Sequence, residues 1–143
     1  MSGLSGIIGG KMLSALEQVA SFTQARQKVI AENIANVDTP GYRHKNVDVG
    51  SFQRALAQAL DSSRGDGVAK VRSDQVQYDQ AGSMVLRPDV ESADNLMFHD
   101  GTNGQIERDM TEMSRNQLLN QIAVDMLAKK YRGIETAIRG RMA

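Results

Sequence analysis

Cysteine and tryptophan are absent from the 143-residue chain, proline occurs twice, and aromatic residues make up only 4 %. The lack of cysteine excludes disulfides, thiolate metal sites and cysteine nucleophiles together. So few rings leave little to anchor a β-sandwich core. A hydrophobic content of 41 %, with eight methionines, favours packed helices instead. An excess of either charge is missing too. Lys plus Arg and Asp plus Glu each total 17, so no global field can hold a polyanion and no nucleic-acid partner is expected. No apolar run approaches a membrane span, and the start has neither a charged n-region nor an apolar h-region. If the chain works outside the cytoplasm, a route that needs no cleaved signal is the expectation.

What is present is helical patterning at both ends of one domain, residues 1–143, around a middle rich in Gly, Asp and Ser. Residues 1–10 hold four Gly and two Ser, which predicts a flexible arm. From 11 to 37 the pattern is helical, with Met12, Ala15, Val19, Phe22 and Val29 on one stripe. Leu13, Leu16, Ala20, Ile30 and Ile34 form an adjacent stripe, so the apolar face is broad enough for more than one neighbour. The stop is explicit: Pro40 biases Thr39 away from the α region, and Gly41 suits the positive-φ corner of a type II turn.

Residues 38–101 read as this turn, a short helix and an irregular stretch. Ser51 can cap the short helix, whose Phe52, Leu56 and Leu60 share one face and which ends near Ser62-Ser63-Arg64-Gly65. Val68 to Val71 and Met84 to Leu86 can form short strands. Residues 48–104 carry five basic and nine acidic side chains, a segment expected to be flexible alone or ordered by a partner.

The last helix, 102–143, has the strongest pattern. Thr102-Asn103-Gly104-Gln105 has the form of a capping box. Ile106, Met110, Met113, Gln117, Asn120, Val124, Leu127, Tyr131, Ile134 and Ile138 then recur at four-three spacing, which predicts a coiled-coil assembly seam. Acidic side chains crowd its first turns and basic ones its end, as the helix dipole favours. The first helix is too short to cover this seam, so the leftover surface asks for other chains, and Ile122 and Met126 widen it on a second side. Gln117 and Asn120 within the seam either fix register or face solvent at its edge. Gly133 implies close packing or a frayed end.

A search for chemistry finds none. The position six before Lys11 is Ser5 rather than Gly, and Met12 follows, so there is no phosphate loop. His44 and His99 are far apart, lack a metal-ligand spacing and read as surface residues in turns. The Asp100 to Gly104 segment lacks the alternating oxygens of a calcium loop. No serine sits in a GxSxG context. No catalytic residue, cofactor, metal or small-molecule substrate is expected.

One stretch says more than helix end and turn. Asn33-Ile34-Ala35-Asn36-Val37-Asp38-Thr39-Pro40-Gly41-Tyr42 resembles the Ala-Asn-x-x-Thr-x-Gly-Tyr or Phe signature of the bacterial flagellar rod and hook family. Asn33, Ala35, Asn36, Thr39, Gly41 and Tyr42 carry the match. Asp100-Gly101, Ile106 to Met110, Asn116-Gln117-Leu118, Lys130-Tyr131 and Ala137-Ile138 extend the likeness to that family's small proximal-rod members. Gly104-Gln105 departs from the Val-Asp pair usual there.

The resemblance implies a mainly α fold in which long N- and C-terminal helices form a coiled-coil-like inner domain. It implies a structural subunit of the proximal rod, self-assembling through those helices and transmitting torque from the membrane ring to the distal rod and hook. The implied partners are other rod subunits, membrane-ring and rod adaptor proteins, copies of itself and the flagellar type III export apparatus. The implied location is the periplasmic rod of the basal body. Another small proximal-rod subunit and an unrelated helical adaptor are the alternatives.

Overall fold

In a computed structural model the described residues are 2–64, 70–92 and 101–141, with side chains described for 9–64, 70–92 and 104–140. Helix α1 runs Ser2–Ala35 and ends in the turn that the sequence marks. The flexible arm expected over residues 1–10 is corrected by this span, because the chain is helical from Ser2. Glycines oppose starting a helix, but extending one already nucleated downstream adds a hydrogen bond for each residue fixed. The chain reverses at Thr39-Pro40-Gly41-Tyr42, where Tyr42 N donates to the Thr39 carbonyl at 3.1 Å and Gly41 takes φ +76°. That value requires glycine at little strain, and it places Pro40 and Gly41 in the central positions of a type II turn.

Strand β1 (Lys45–Asn46) follows, then helix α2 (Val49–Ser62). Its cap is Asp48, whose side chain accepts from Gly50 N, and not Ser51, which lies inside the first turn. The extended backbone that a cap needs falls at Asp48, directly after the strand. Helix α2 runs back along α1: Phe52 near its start stacks on Phe22, and beyond its end the Ser63 carbonyl accepts from Lys11 Nζ at 2.7 Å.

The middle region holds strands β2 (Val76–Tyr78), β3 (Met84–Leu86) and β4 (Asp89–Val90). Strands β2 and β3 form an antiparallel hairpin, Val76 opposite Leu86 and Tyr78 opposite Met84. Gly82 at φ +81° turns it, and Ser83 N donates to Asp79 Oδ1 at 2.8 Å. Strand β4 pairs with β1, Lys45 opposite Val90 and Asn46 opposite Asp89. Met84 to Leu86 is thus a strand as expected, whereas of the Val68 to Val71 segment residues 68 and 69 lie outside the described residues and Lys70 and Val71 are not in a strand. Val71 itself is buried and its N–H donates to Gln18 Oε1 at 2.6 Å.

Phe22, Val47, Phe52, Val71 and Val76 make one apolar core, flanked by Val19, Leu56, Met84 and Leu86. The Phe22 and Phe52 rings lie 3.9 Å apart and nearly parallel. Each fully buried side chain of this size contributes roughly 1.5–3 kcal/mol. The core joins α1 to α2 and the hairpin, and so occupies only one side of α1.

Helix α3 (Gly101–Arg141) packs antiparallel along another side of α1. At about 1.5 Å per residue its 41 residues span about 60 Å. It already includes Gly101, so Thr102 to Gln105 falls within its first turn, and the Thr102 and Asn103 side chains lie outside the described set. The helix continues through Gly133 and does not fray there. Among the described residues no helix is long and apolar enough to cross a membrane.

Candidate functional site

The residues of the 33–42 signature converge on the end of α1. Asn33 is buried, and its amide works like a piece of strand. Its Oδ1 accepts from Lys45 N at 3.0 Å and its Nδ2 donates to the Lys45 carbonyl at 2.8 Å. The same Oδ1 takes the Tyr42 hydroxyl at 2.8 Å. Asn36 serves the turn: its N–H reaches back to the Glu32 carbonyl, and its Oδ1 accepts from the Thr39 hydroxyl at 3.3 Å. Thr39 N donates to the Asn36 carbonyl at 2.9 Å. Backbone groups released where a helix unwinds need partners, and Asn36 provides them, while Asn33 satisfies the backbone of Lys45. Ala35 is exposed in the last turn.

Charge gathers around this clasp. Lys45 forms an ion pair with Glu32, and that hydrogen bond raises the Lys45 ammonium above its ordinary value. Burial pushes the Tyr42 phenol up, and the Glu32 carboxylate adds to the effect. His44 is not the surface turn residue that its spacing suggested. Its Nε2 lies 2.9 and 3.1 Å from the two Asp109 oxygens, so the ring N–H bridges to α3, and Asn33 Nδ2 is 3.0 Å from the same nitrogen. On the opposite edge Nδ1 faces Glu91 Oε1 at 3.6 Å. His99 lies outside the described residues. No group of three or more His, Cys, Asp and Glu among the described residues could hold a metal ion.

From Asp109 the contact runs along α3. Arg26 Nη2 binds Glu112 Oε2 at 2.7 Å, and this hydrogen bond holds the Glu112 carboxyl below its usual range. Asn116 Nδ2 donates to the Thr23 carbonyl at 2.7 Å and to Gln27 Oε1 at 2.9 Å. Asn120 Nδ2 donates to Thr23 Oγ1 at 2.8 Å and to the Ala20 carbonyl at 3.2 Å. Farther along, the Tyr131 hydroxyl donates to Glu17 at 2.7 Å, which raises the phenol's pKa.

The ten residues of the expected seam divide by exposure. Ile106, Met113, Asn120 and Leu127 are half-buried on the α1 side, joined there by the buried Asp109, Asn116 and Ala123. Met110, Gln117, Val124, Tyr131, Ile134 and Ile138 are exposed, Met110 at 58 % and Ile138 at 56 %. Leu118, Leu119, Ile122 and Met126 add a second exposed apolar band. At about 100° per residue, Met110, Gln117 and Val124 lie roughly 60–100° from the α1-facing line and Ile122 and Met126 well round the other side. The polar contact was missed because the heptad reading followed the aliphatic residues. Thr23, Arg26 and Asn33 on α1, at helical spacing and facing Asp109, Glu112, Asn116 and Asn120 on α3, are the signal that finds it.

A helical hairpin clasped at one end, with exposed aliphatic side chains along α3, presents a contact surface of the kind that structural subunits use. A family model described as flagella basal body rod protein matches residues 14–43, the span from α1 to the signature turn. The flagellar basal body rod protein FlgB of Bacillus subtilis (strain 168) is 34 % identical over 125 residues, covering 87 % of this chain and 91 % of the relative. The FlgB proteins of Borrelia hermsii and Salmonella typhimurium are each 25 % identical, covering 80 % and 90 % of this chain and 85 % and 99 % of their own lengths. No solved structure matches the chain. The chain belongs to the FlgB family of flagellar basal body rod proteins, structural subunits of the flagellar basal body.

Proposed function

We propose that the chain is a proximal-rod subunit that self-assembles through α1 and α3 and transmits torque from the membrane ring to the distal rod and hook. The observation that carries this reading is the apolar surface of α3 away from α1, where Met110, Leu118, Leu119, Ile122, Val124 and Met126 stay exposed although α1 already occupies the helix's other face. Six such side chains on one helix are a contact surface for other helices. Parallel helix contacts of this kind resist twist better than surface ion pairs, which contribute under about 1 kcal/mol each.

On this reading the 33–42 clasp and the seam residues serve assembly, and no residue has a catalytic task. The partners are copies of the chain, neighbouring rod subunits and the adaptors that join rod to membrane ring. The subunit reaches the periplasm through the flagellar type III export apparatus. Mass spectrometry of washed hook-basal bodies from the native organism, compared with a strain deleted for this chain, tests the proposal. The chain is expected in the wild-type particle, with rods missing in the deletion strain. Its absence from the particle, with intact rods, would favour a helical adaptor.

A further inference from the structure

Half of the face that helix α3 turns to α1 is polar, while aliphatic side chains on its other faces stay exposed. The residues it turns to α1 are Ile106, Asp109, Glu112, Met113, Asn116, Asn120, Ala123 and Leu127, of which only four are apolar. The residues it turns away include Leu118 at 62 % exposure, Leu119, Ile122, Val124 and Met126. If apolar burial alone chose the packing face, α3 would present one of its aliphatic bands to α1, since each buried methylene is favourable and each buried amide is costly unless bonded. Directional bonds hold the polar face inward instead.

These bonds also depend on register. Asn116 is 1 % exposed and both its donors are used, on the Thr23 carbonyl and Gln27, while Asn120 takes Thr23 Oγ1 and the Ala20 carbonyl. A slide of one turn, or a roll of α3 onto an aliphatic band, would strand a buried Arg26 and a buried asparagine with no partner. Buried Asn116 Oδ1 has no partner even in the native register, so this contact is not optimised for stability.

We infer that Asn116 and Asn120, with their acceptors Thr23 and Gln27, are the selectivity residues of the helical pair. They fix which face of α3 meets the chain's own α1 and in which register, and so keep the aliphatic bands for helices of other chains. Buried polar residues act in this way in coiled coils, where they specify register at a cost in stability.

The absence of cysteine allows a direct test on the full chain. Spin labels on Gln24→Cys and Gln121→Cys, both exposed positions, report the register of α1 against α3 by pulsed dipolar distance measurement. The otherwise native chain is expected to give one narrow distance. Asn116→Leu with Asn120→Leu is expected to give a second, resolved distance population from pairs slid along the axis by one helical turn, about 5.4 Å, or to lose the single distance as chains associate. If that variant fails to fold, Thr23→Val with Gln27→Leu removes the side-chain acceptors while leaving α3 unchanged, and the same broadening is expected. A narrow native distance retained in whichever variant folds would overturn the inference, as would several distances in the native background. Neither result touches the rod-subunit proposal, because the measurement involves no assembly.

Discussion

Asn33 and Lys45 are joined through both atoms of the asparagine amide, Oδ1 to the lysine N–H at 3.0 Å and Nδ2 to the lysine carbonyl at 2.8 Å. One side chain on α1 thus completes the ladder that β1 lacks on its inner edge and sets the direction in which the chain leaves the turn. Asn33→Ala strands a buried N–H and carbonyl and also releases the Tyr42 hydroxyl. A loss of about 2–3 kcal/mol in urea unfolding is expected, at the upper end of the range for buried hydrogen-bonding groups. A change below about 0.5 kcal/mol would show that the clasp is dispensable to the free chain.

Two glycines predict opposite signs. Gly41 sits at φ +76°, so Gly41→Ala is expected to cost about 1–2 kcal/mol. Gly133 lies mid-helix with nothing within 4 Å of a built Cβ, so Gly133→Ala is expected to stabilise by up to about 1 kcal/mol. Thermal melts of the two variants beside the parent check both.

The stacked pair Phe22 and Phe52 is the only ring stack recorded among the described residues and ties α2 to α1. Phe52→Ala is expected to destabilise the chain by about 3–5 kcal/mol, the usual cost of removing a buried ring from a packed core. Amide exchange along α2 should rise more than exchange along the middle of α3, since α3 touches α1 on another side.

Acid should weaken the helical pair through Glu112. The Arg26 hydrogen bond lowers its folded pKa from the usual 4.5, so the stability this contributes is fully present above 4.5 and is lost as the pH falls through the depressed value. Glu112→Gln is therefore expected to be less stable than the parent at neutral pH, with the difference shrinking as the solution is acidified. Denaturation curves collected down to acid pH give the comparison, and a constant gap would contradict it.

Ile134 is exposed and Leu127 is half-buried, so aspartate at the two positions should act differently. Ile134→Asp is expected to leave the melting of the free chain within about 0.5 kcal/mol of the parent while abolishing rod assembly. Leu127→Asp is expected to lower both. A motile strain carrying Ile134→Asp would remove Ile134 from the assembly surface.

The helix stop and the turn were legible because Pro40 and Gly41 act through local sterics, and the structure places them as the sequence reads. Helix α2 was legible from Phe52, Leu56 and Leu60, but its cap moved to Asp48 because β1 delivers extended backbone there. Strands β1 and β4 left no trace in the sequence, since two residues cannot show a period and their pairing spans more than forty positions. Asp109 and Asn116 on α3 carry no aliphatic periodicity, and the face that meets α1 mixes polar and apolar side chains, so a heptad pattern does not reveal them. His44 was misread for a related reason: Asp109, which receives its ring N–H, is 65 residues away.

The pairing of Lys45 with Val90 brings both ends of the middle region to one strand spacing, about 4.8 Å, beside the end of α1. Everything between them, α2 and the β2–β3 hairpin included, is topologically a single closed excursion from the two-helix stem. Loop-closure entropy grows only with the logarithm of length, so lengthening that excursion costs about 0.6 kcal/mol per doubling. The β1–β4 ladder is therefore a point past which the excursion can grow in length while the stem keeps its geometry.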